Sequence, residues 1–409
     1  MDVKIIPSKL KGSVDIPSSK SLTHRALICA ALSEGKSFIR NVSKSKDITA
    51  TINALTAIGA NITEKPDGIE VTGISDRSLK STIDCCESGS TLRFMIPITA
   101  ALGIDAEYLG QGRLPERPIT PYIRELGSNG IMFDYNNTMP FKMNGQLKSG
   151  MFSLEGNISS QFITGFLFAL PLLEGDSKII LTSPLESKPY ADMTILCLKQ
   201  FGVLIDETDY GYYIKGGQKY IANDITVEGD YSQAAFFYVA NILGSEINIK
   251  NLSENSTQGD KKIVEITSRL CYNNNYPEGF NINASDIPDL VPVLGVLGTF
   301  CSGSSVIDGA ERLKIKESDR LAATSAAVNA LGGDITPTDS GLIIRHAELN
   351  GGIVDSAGDH RIAMSAAIAA TICKEPVVIK GAECVEKSYP DFFRDYIKLG
   401  GNANVIILE

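Results

Sequence analysis

The sequence predicts a two-domain α/β (α+β) protein made of six copies of one unit, three per domain, in which buried helices are surrounded by sheets and amphipathic helices. Three observations lead there. A polar or charged entrance followed by an apolar helix recurs six times along the chain. Each is followed by a turn, usually with glycine, and a short β-branched run. A second helical segment with alternating apolar and charged faces then completes the unit, most often stopping on glycine. A chain of 409 residues exceeds one ordinary core. Three units packed around shared buried helices would give a body of about two hundred residues, within the usual range for a domain.

The entrances begin near Pro17, Cys85, Gly156, Gly229, Ser285 and Ala357. They read "PSSKS-LTHRALICAAL", "CCESGS-TLRFMIPITAAL", "GNISS-QFITGFLFALPLL", "GDYSQ-AAFFYVANIL", "SDIPD-LVPVLGVLGTF" and "AGDHR-IAMSAAIAATI". The β-rich runs after them include "SFIRNVS", "KIILTSP", "EINIKNLS" and "PVVIKGA". The amphipathic segments include "DITATINALTAIGANI", "ADMTILCLKQFGVLI", "SDRLAATSAAVNALGGDI" and "FFRDYIKLGGNANV". A period this long often means a solenoid, but an apolar helix in every unit suits a closed core better.

Composition narrows the function. A net charge of -10 argues against a general nucleic-acid binder, because a phosphate backbone demands a basic face. The start "MDVKIIPSKL" lacks the apolar region of a signal peptide, and Phe162 to Leu173 is too short to span a bilayer. The eight cysteines form no C-x-x-C pair, and the three histidines are dispersed, so no metal-site spacing emerges. Most of the thiols fall in apolar runs and read as core residues of a protein from a reducing cytoplasm.

The entrances carry the chemistry. If the buried helices of a domain run parallel, their N-termini gather at one end, where unpaired N–H groups and partial positive charge attract anions. Two such ends facing each other would make an electropositive cleft in an acidic protein, suited to a small anionic ligand. Lys20, His24 and Arg25 lie at the first entrance, and Ser159, Ser160 and Gln161 offer donors at the third. "GQGRLPERPI" places Arg113 and Arg117 in a proline-rich loop, where guanidinium forks suit phosphate or carboxylate. "SDIPDL" sets Asp286 and Asp289 before the fifth helix, "ERLKIKESDR" clusters charges from Glu311 to Arg320, and "AGDHRIAM" adds Asp359, His360 and Arg361. "EKSYPDFF" supplies Lys387. Taken singly, helix caps, structural ion pairs and solvated turns account for these residues equally well.

The ordered set "SSKSLTHR", "ESGSTLR", "LPERPI", "SSQF", "SKPY", "IPD", "KIKESDR", "DHR" and "KSYPDFF" resembles the enolpyruvyl transferase family, and within it the 3-phosphoshikimate 1-carboxyvinyltransferases, over essentially the whole length. That resemblance implies βαβαββ-type units, two crossovers between domains and an active site in the interdomain cleft. It places residues 1–15 with 229–409 in a discontinuous C-terminal-half domain and 16–228 in an N-terminal-half domain. The implied reaction transfers the enolpyruvyl group of phosphoenolpyruvate to the 5-hydroxyl of shikimate-3-phosphate by addition–elimination, releasing phosphate.

By motif, Lys20, Ser21, Arg25, Ser159, Ser160, Gln161, Ser187, Tyr190, Asp289 and Lys316 match shikimate-3-phosphate contacts. Lys20, Gly89, Arg117, Gln161, Arg320, Arg361 and Lys387 match the phosphoenolpyruvate side. Asp289 is the implied hydroxyl base and Glu317 the group for proton traffic at the methylene, with Lys20 and Lys316 assisting. No metal or organic cofactor is called for, since phosphoenolpyruvate is already activated. The expected partners are those two small anions, with no nucleic acid and no membrane, for a cytoplasmic monomer.

His24, Glu87 and Arg312 depart from common family patterns. A UDP-N-acetylglucosamine 1-carboxyvinyltransferase is the nearest alternative, but that family carries a cysteine in the loop matching "GRLPERP", and here there is none. A non-catalytic anion-binding relative is the other, and joint retention of Asp289, Glu317, Lys20 and Arg117 argues against it.

Overall fold

The computed structural model describes residues 1–270 and 276–406. Cys271, grouped above with the core thiols, lies outside the described residues. The chain divides into two compact units: a discontinuous one, Met1–Pro17 with Gly229–Glu409, and a continuous one, Ser18–Glu228. The first crossover falls after Pro17 rather than after Asp15, because Ile16 is buried in the core of the discontinuous unit.

Twelve α-helices alternate between two kinds among the described residues. The apolar entrances become α1 (Lys20–Leu32), α3 (Gly89–Leu102), α5 (Ser160–Ala169), α7 (Tyr231–Ile242), α9 (Val291–Phe300) and α11 (His360–Ala369). Almost every residue of these six is buried, because each is hydrophobic around its whole circumference. Between them lie α2 (Lys46–Ala57), α4 (Thr120–Gly127), α6 (Lys188–Gln200), α8 (Lys262–Leu270), α10 (Arg320–Asn329) and α12 (Phe392–Lys398), which bury one face each.

Five units end in the same four-stranded sheet. Its first two strands are parallel and the next two join antiparallel, as in Lys80–Asp84, Asp105–Leu109, Phe141–Gly145 and Ile131–Asp134. The parallel pair forces a crossover, and the buried helix is that crossover. In the sixth unit the third strand is the chain's own start: Asp2–Ile6 pairs antiparallel with Val377–Lys380 and with Asn402–Ile406. The fourth unit has only a two-stranded sheet, Glu246–Lys250 beside Lys11–Asp15.

That pairing explains the double crossover. The strand before α1 pairs with the strand after α7, while Ile225–Thr226, before α7, pairs with Lys36–Arg40, after α1. The first and fourth units have exchanged their opening strands, so each unit of the fold is closed only when both segments of chain are present.

In the continuous unit, α3 and α5 pack closely because of one local defect. Pro97 lies inside α3 and has no N–H to give the carbonyl of Arg93, one turn earlier. The Tyr122 hydroxyl donates to that carbonyl instead, at 2.6 Å. Gly165 on α5 makes room for it: a Cβ there would stand 2.2 Å from the Tyr122 oxygen and 2.5 Å from the Arg93 carbonyl. Tyr122→Phe keeps the ring contacts with Phe162 and Phe166 but leaves the carbonyl without its donor. We expect a loss of about 1–3 kcal/mol in urea unfolding. Gly165→Ala should cost a similar amount by overpacking, also about 1–3 kcal/mol, and an unchanged midpoint in both would refute this account of the contact.

Candidate active site

In the continuous unit the first turns of α1, α3 and α5 are tied together by polar side chains. Serines open all three: Ser19, Ser88 and Ser159 each accept from a backbone N–H of the first turn. Gln161 donates to Ser90 on α3 at 3.0 Å and accepts from Arg93 at 2.6 Å. On α1, His24 is buried and bonds Thr51 at 2.7 Å, and Thr51 bonds Thr91 at the same distance. Burial, then Lys20 and Arg25, hold the imidazole well below its usual range, so His24 is neutral.

Lys20 forms an ion pair with Asp47 at 2.8 Å, both side chains mostly covered. The sequence reading missed Asp47; its signal was an acidic residue in the first turn of α2, two residues after the cap Ser45. Arg25 is locked by all three nitrogens, to Thr194 Oγ1 (2.8 Å), the Ser21 carbonyl (2.7 Å) and the Tyr190 carbonyl (2.8 Å). Ser21, Arg25 and Tyr190 are thereby brought together, and Ser187 precedes α6 in a left-handed conformation at φ 54°. Arg117 is 7% exposed and lies against Gly89, where an added Cβ would approach its Nη1 to 2.6 Å. Arg113 points elsewhere: it pairs with Glu116 and is half exposed, so the two arginines of that loop do not form one fork.

The discontinuous unit builds a denser cluster around Arg320. This first residue of α10 is 1% exposed. Its Nε donates to Asp359 at 2.7 Å, Nη1 to Asp289 at 2.8 Å and Nη2 to Glu317 at 2.7 Å. Asp289 also accepts from Arg361 Nη2 at 2.7 Å, and its carbonyl accepts from Arg361 Nη1 at 3.2 Å. Asp289 sits on the short turn Pro288–Leu290 and caps nothing, since α9 has no side-chain cap. The helix-cap explanation for that aspartate therefore fails.

Asp359 is fully buried, caps α11 through the Arg361 N–H at 2.9 Å and accepts from Ser318 at 3.1 Å. The sequence grouped it with His360 and Arg361 at the sixth entrance, with a structural ion pair as the plain explanation, and it forms one with Arg320. Lys387 donates to the Gly358 carbonyl at 2.9 Å, at the entrance of α11.

Charge follows geometry. Burial works against the Asp289 carboxylate, but Arg361, Arg320 and Lys316 outweigh it and hold the group far below the usual carboxylate range. Lys316 is pulled down to about 8: burial, Arg320 and Arg312 favour the neutral amine over the pull of Asp289 and Glu317. One unit thus carries an obligate carboxylate beside an amine that exchanges its proton near neutral pH.

A model of the EPSP synthase family (3-phosphoshikimate 1-carboxyvinyltransferase) matches residues 5–396. The chain belongs to the EPSP synthase family. It is 46% identical over 424 residues to the 3-phosphoshikimate 1-carboxyvinyltransferase of Clostridium beijerinckii, covering 98% of each chain. It is 47% identical over 417 residues to the enzyme of that name from Clostridium perfringens, again with 98% of each chain covered. The EPSP synthase structure from Acinetobacter baumannii superposes with a TM-score of 0.83 at 24% identity, over 99% of this chain and 100% of that one. The enolpyruvyl transferase NikO from Streptomyces tendae gives 0.80 at 15% identity, covering 100% of this chain and 99% of that one. At those identities the two structures speak for the fold alone.

The Arg320 cluster yields a stability prediction. Asp359→Ala removes a buried counter-charge and the α11 cap together, leaving Arg320 under-compensated. Breaking a buried pair from one side costs about 3–5 kcal/mol. Urea unfolding at neutral pH should show that loss, and a cost under about 1 kcal/mol, the worth of a surface pair, would mean the cluster is not what holds α10 to α11.

Proposed function

We propose that the clusters of both units serve one reaction, with residues of each contributing to the same pair of anions. The reaction is that of the EPSP synthase family: the enolpyruvyl group of phosphoenolpyruvate passes to the 5-hydroxyl of shikimate-3-phosphate, and phosphate leaves. Support comes from the full-length family match together with the placement of the matched residues at helix starts within each unit.

Addition and elimination set distinct demands. The hydroxyl oxygen attacks the central carbon of phosphoenolpyruvate while its proton goes to a base, and the methylene carbon gains a proton. Elimination then breaks the carbon–oxygen bond to phosphate and returns a proton from the new methyl group. In our reading Arg117, Arg361, Arg320, Lys387 and Gln161 engage phosphoenolpyruvate, with Gly89 leaving space for Arg117. Ser21, Arg25, Ser159, Ser160, Gln161, Ser187 and Tyr190 engage shikimate-3-phosphate. Lys20 meets both substrates, and Glu317 handles the methylene proton.

The charge pattern refines the role of Asp289. A carboxylate bound by two guanidiniums is a weak base, so its task is to accept the hydroxyl's hydrogen bond and orient it. Lys316, at about 8, is better matched to take the proton. The free thiols, buried in most cases, favour a reducing compartment such as the cytoplasm. Among the described residues no helix is long and apolar enough to cross a membrane. We further propose that the chain acts as a monomer.

Phosphate release measured with and without shikimate-3-phosphate tests the function. Release that ignores shikimate-3-phosphate, or that requires a UDP-sugar, would overturn it. If Lys316 must be neutral to accept the proton, kcat should rise with pH, pass half its maximum near 8 and level off above that. Lys316→Arg stays charged, so the limb should vanish and kcat fall by a factor on the order of 10²–10⁴. Asp289→Asn should lower kcat while leaving both Michaelis constants within a small factor. Gly89→Ala should act through Arg117: its methyl displaces the guanidinium and raises the Michaelis constant for phosphoenolpyruvate by about tenfold, the worth of one charge-assisted hydrogen bond, with that for shikimate-3-phosphate unchanged. Equal losses for the two substrates would place the effect in the backbone instead.

A further inference from the structure

A buried histidine stands one turn past Lys20 and takes no part in the proposed proton transfers. His24 on α1 is 1% exposed, and it opens a line of four polar side chains that crosses three helices. Its Nδ1 lies 2.7 Å from Thr51 Oγ1 on α2, and Thr51 Oγ1 lies 2.7 Å from Thr91 Oγ1 on α3. Thr91 Oγ1 donates to Ser88 Oγ at 2.8 Å, and the Thr91 N–H reaches the same oxygen at 3.2 Å. Ser88 caps α3, and the next residue is Gly89, whose backbone lies against the Arg117 guanidinium. Thr51, Thr91 and Ser88 are all fully buried, so bulk water cannot take over any link.

A hydroxyl has one proton, which gives the line a direction. Thr91 spends its proton on Ser88, so the bond between the two threonines is donated by Thr51. Thr51 then has none left, and the bond to the ring is donated by His24 Nδ1. The far ring nitrogen, Nε2, is buried and has no hydrogen-bond partner. That suits the lone pair of a neutral imidazole better than an N–H, whose burial without an acceptor is costly. Burial, then Lys20 and Arg25, oppose a second proton on the ring.

We propose that His24 is a positioning residue for phosphoenolpyruvate. As a fixed Nδ1–H donor it holds, through Thr51 and Thr91, the first turn of α3 where Gly89 meets Arg117. This rests on the reading that Arg117 engages phosphoenolpyruvate. The geometry sets His24 apart from the shikimate-3-phosphate contacts. Lys20 and His24 are one turn apart on α1, as are Asp47 and Thr51 on α2, so the two helices are joined twice. Lys20 keeps its ion pair with Asp47 when the histidine bond is lost, and Arg25 keeps its three acceptors on α1 and α6. The link through Thr51 is the one that continues to Thr91 and the cap of α3.

The experiment measures both Michaelis constants in the parent, in His24→Leu, His24→Asn and Thr91→Val, and in the double variant His24→Leu with Thr91→Val. Leucine fills much of the ring's space and donates nothing, whereas asparagine carries an N–H donor close to the place of Nδ1. Valine keeps the shape of threonine without its hydroxyl. His24→Leu and Thr91→Val should each raise the constant for phosphoenolpyruvate about three- to tenfold, the range one neutral hydrogen bond covers, with that for shikimate-3-phosphate unchanged. His24→Asn should recover most of the loss seen in His24→Leu. Both single changes break the same line, so the double variant should be little worse than either alone. Heteronuclear NMR of the imidazole nitrogens reads the donor directly: from about pH 6 to 8, where a free histidine titrates, His24 should keep a protonated Nδ1 and a bare Nε2. The chain has three histidines, so a single substitution assigns the signal.

An unchanged constant for phosphoenolpyruvate in Thr91→Val, or equal rises for both substrates, would overturn the proposal. Additive losses in the double variant would do the same, as would a His24→Asn protein no better than His24→Leu or a ring protonated at Nε2. Thr91→Val and the NMR signature decide it if His24→Leu does not fold. An Arg117→Ala variant with an unchanged Michaelis constant for phosphoenolpyruvate would overturn the substrate reading and the proposal with it. The protonation of the ring depends on neither substrate, so it separates that failure from one in the line itself.

Discussion

A guanidinium removed from water has to be met by opposite charge and by acceptors for its N–H groups, and Arg320 sets that requirement for much of one unit. Asp359, Asp289 and Glu317 come from three separate segments, and each meets a different nitrogen. Satisfying one buried cation therefore fixes the entrance of α11, the turn before α9 and the start of α10 relative to one another. Arg361 extends the arrangement by sharing Asp289. The same contacts that hold the core in register hold the Asp289 and Glu317 carboxylates in place, so their positioning needs no additional scaffold.

Much of this was legible in the sequence, for a reason that is local. Six apolar helices surrounded by polar entrances are a pattern of adjacent residues, and they appear where the pattern put them, from α1 to α11. The swap of opening strands was not legible. Lys11–Asp15 and Ile225–Thr226 are both short strands before a buried helix, and nothing local distinguishes one parallel partner from the other. Their choice follows from long-range closure, which is also why Asp2–Ile6 finishes a sheet built mainly from the last fifty or so residues.

The site divides along the same line. Lys20, Arg25, Gln161, Asp289, Arg320 and Arg361 sit in motifs and could be read from them. The partner of Lys20 could not: Asp47 lies in an ordinary first helical turn. A partner in an ion pair carries no sequence signature of its own. Its identity comes from the fold that brings it within reach, as the Lys20–Asp47 pair illustrates.

The two units prepare for anions in different ways. In the continuous unit the three buried helices are capped by serines, which satisfy backbone N–H groups without neutralising the positive helix end. In the discontinuous unit α7 and α11 are capped by Asp230 and Asp359, and Asp289 stands before α9. There the helix ends are already met by negative charge, so attraction has to come from arginine and lysine side chains. Those side chains are themselves held by the carboxylates. An incoming anion at Arg361 must compete with Asp289, and success weakens the ion pair that keeps Asp289 a poor base. On the proposed reading, an anion at Arg361 then strengthens Asp289 as the acceptor that orients the hydroxyl, while Lys316 takes the proton.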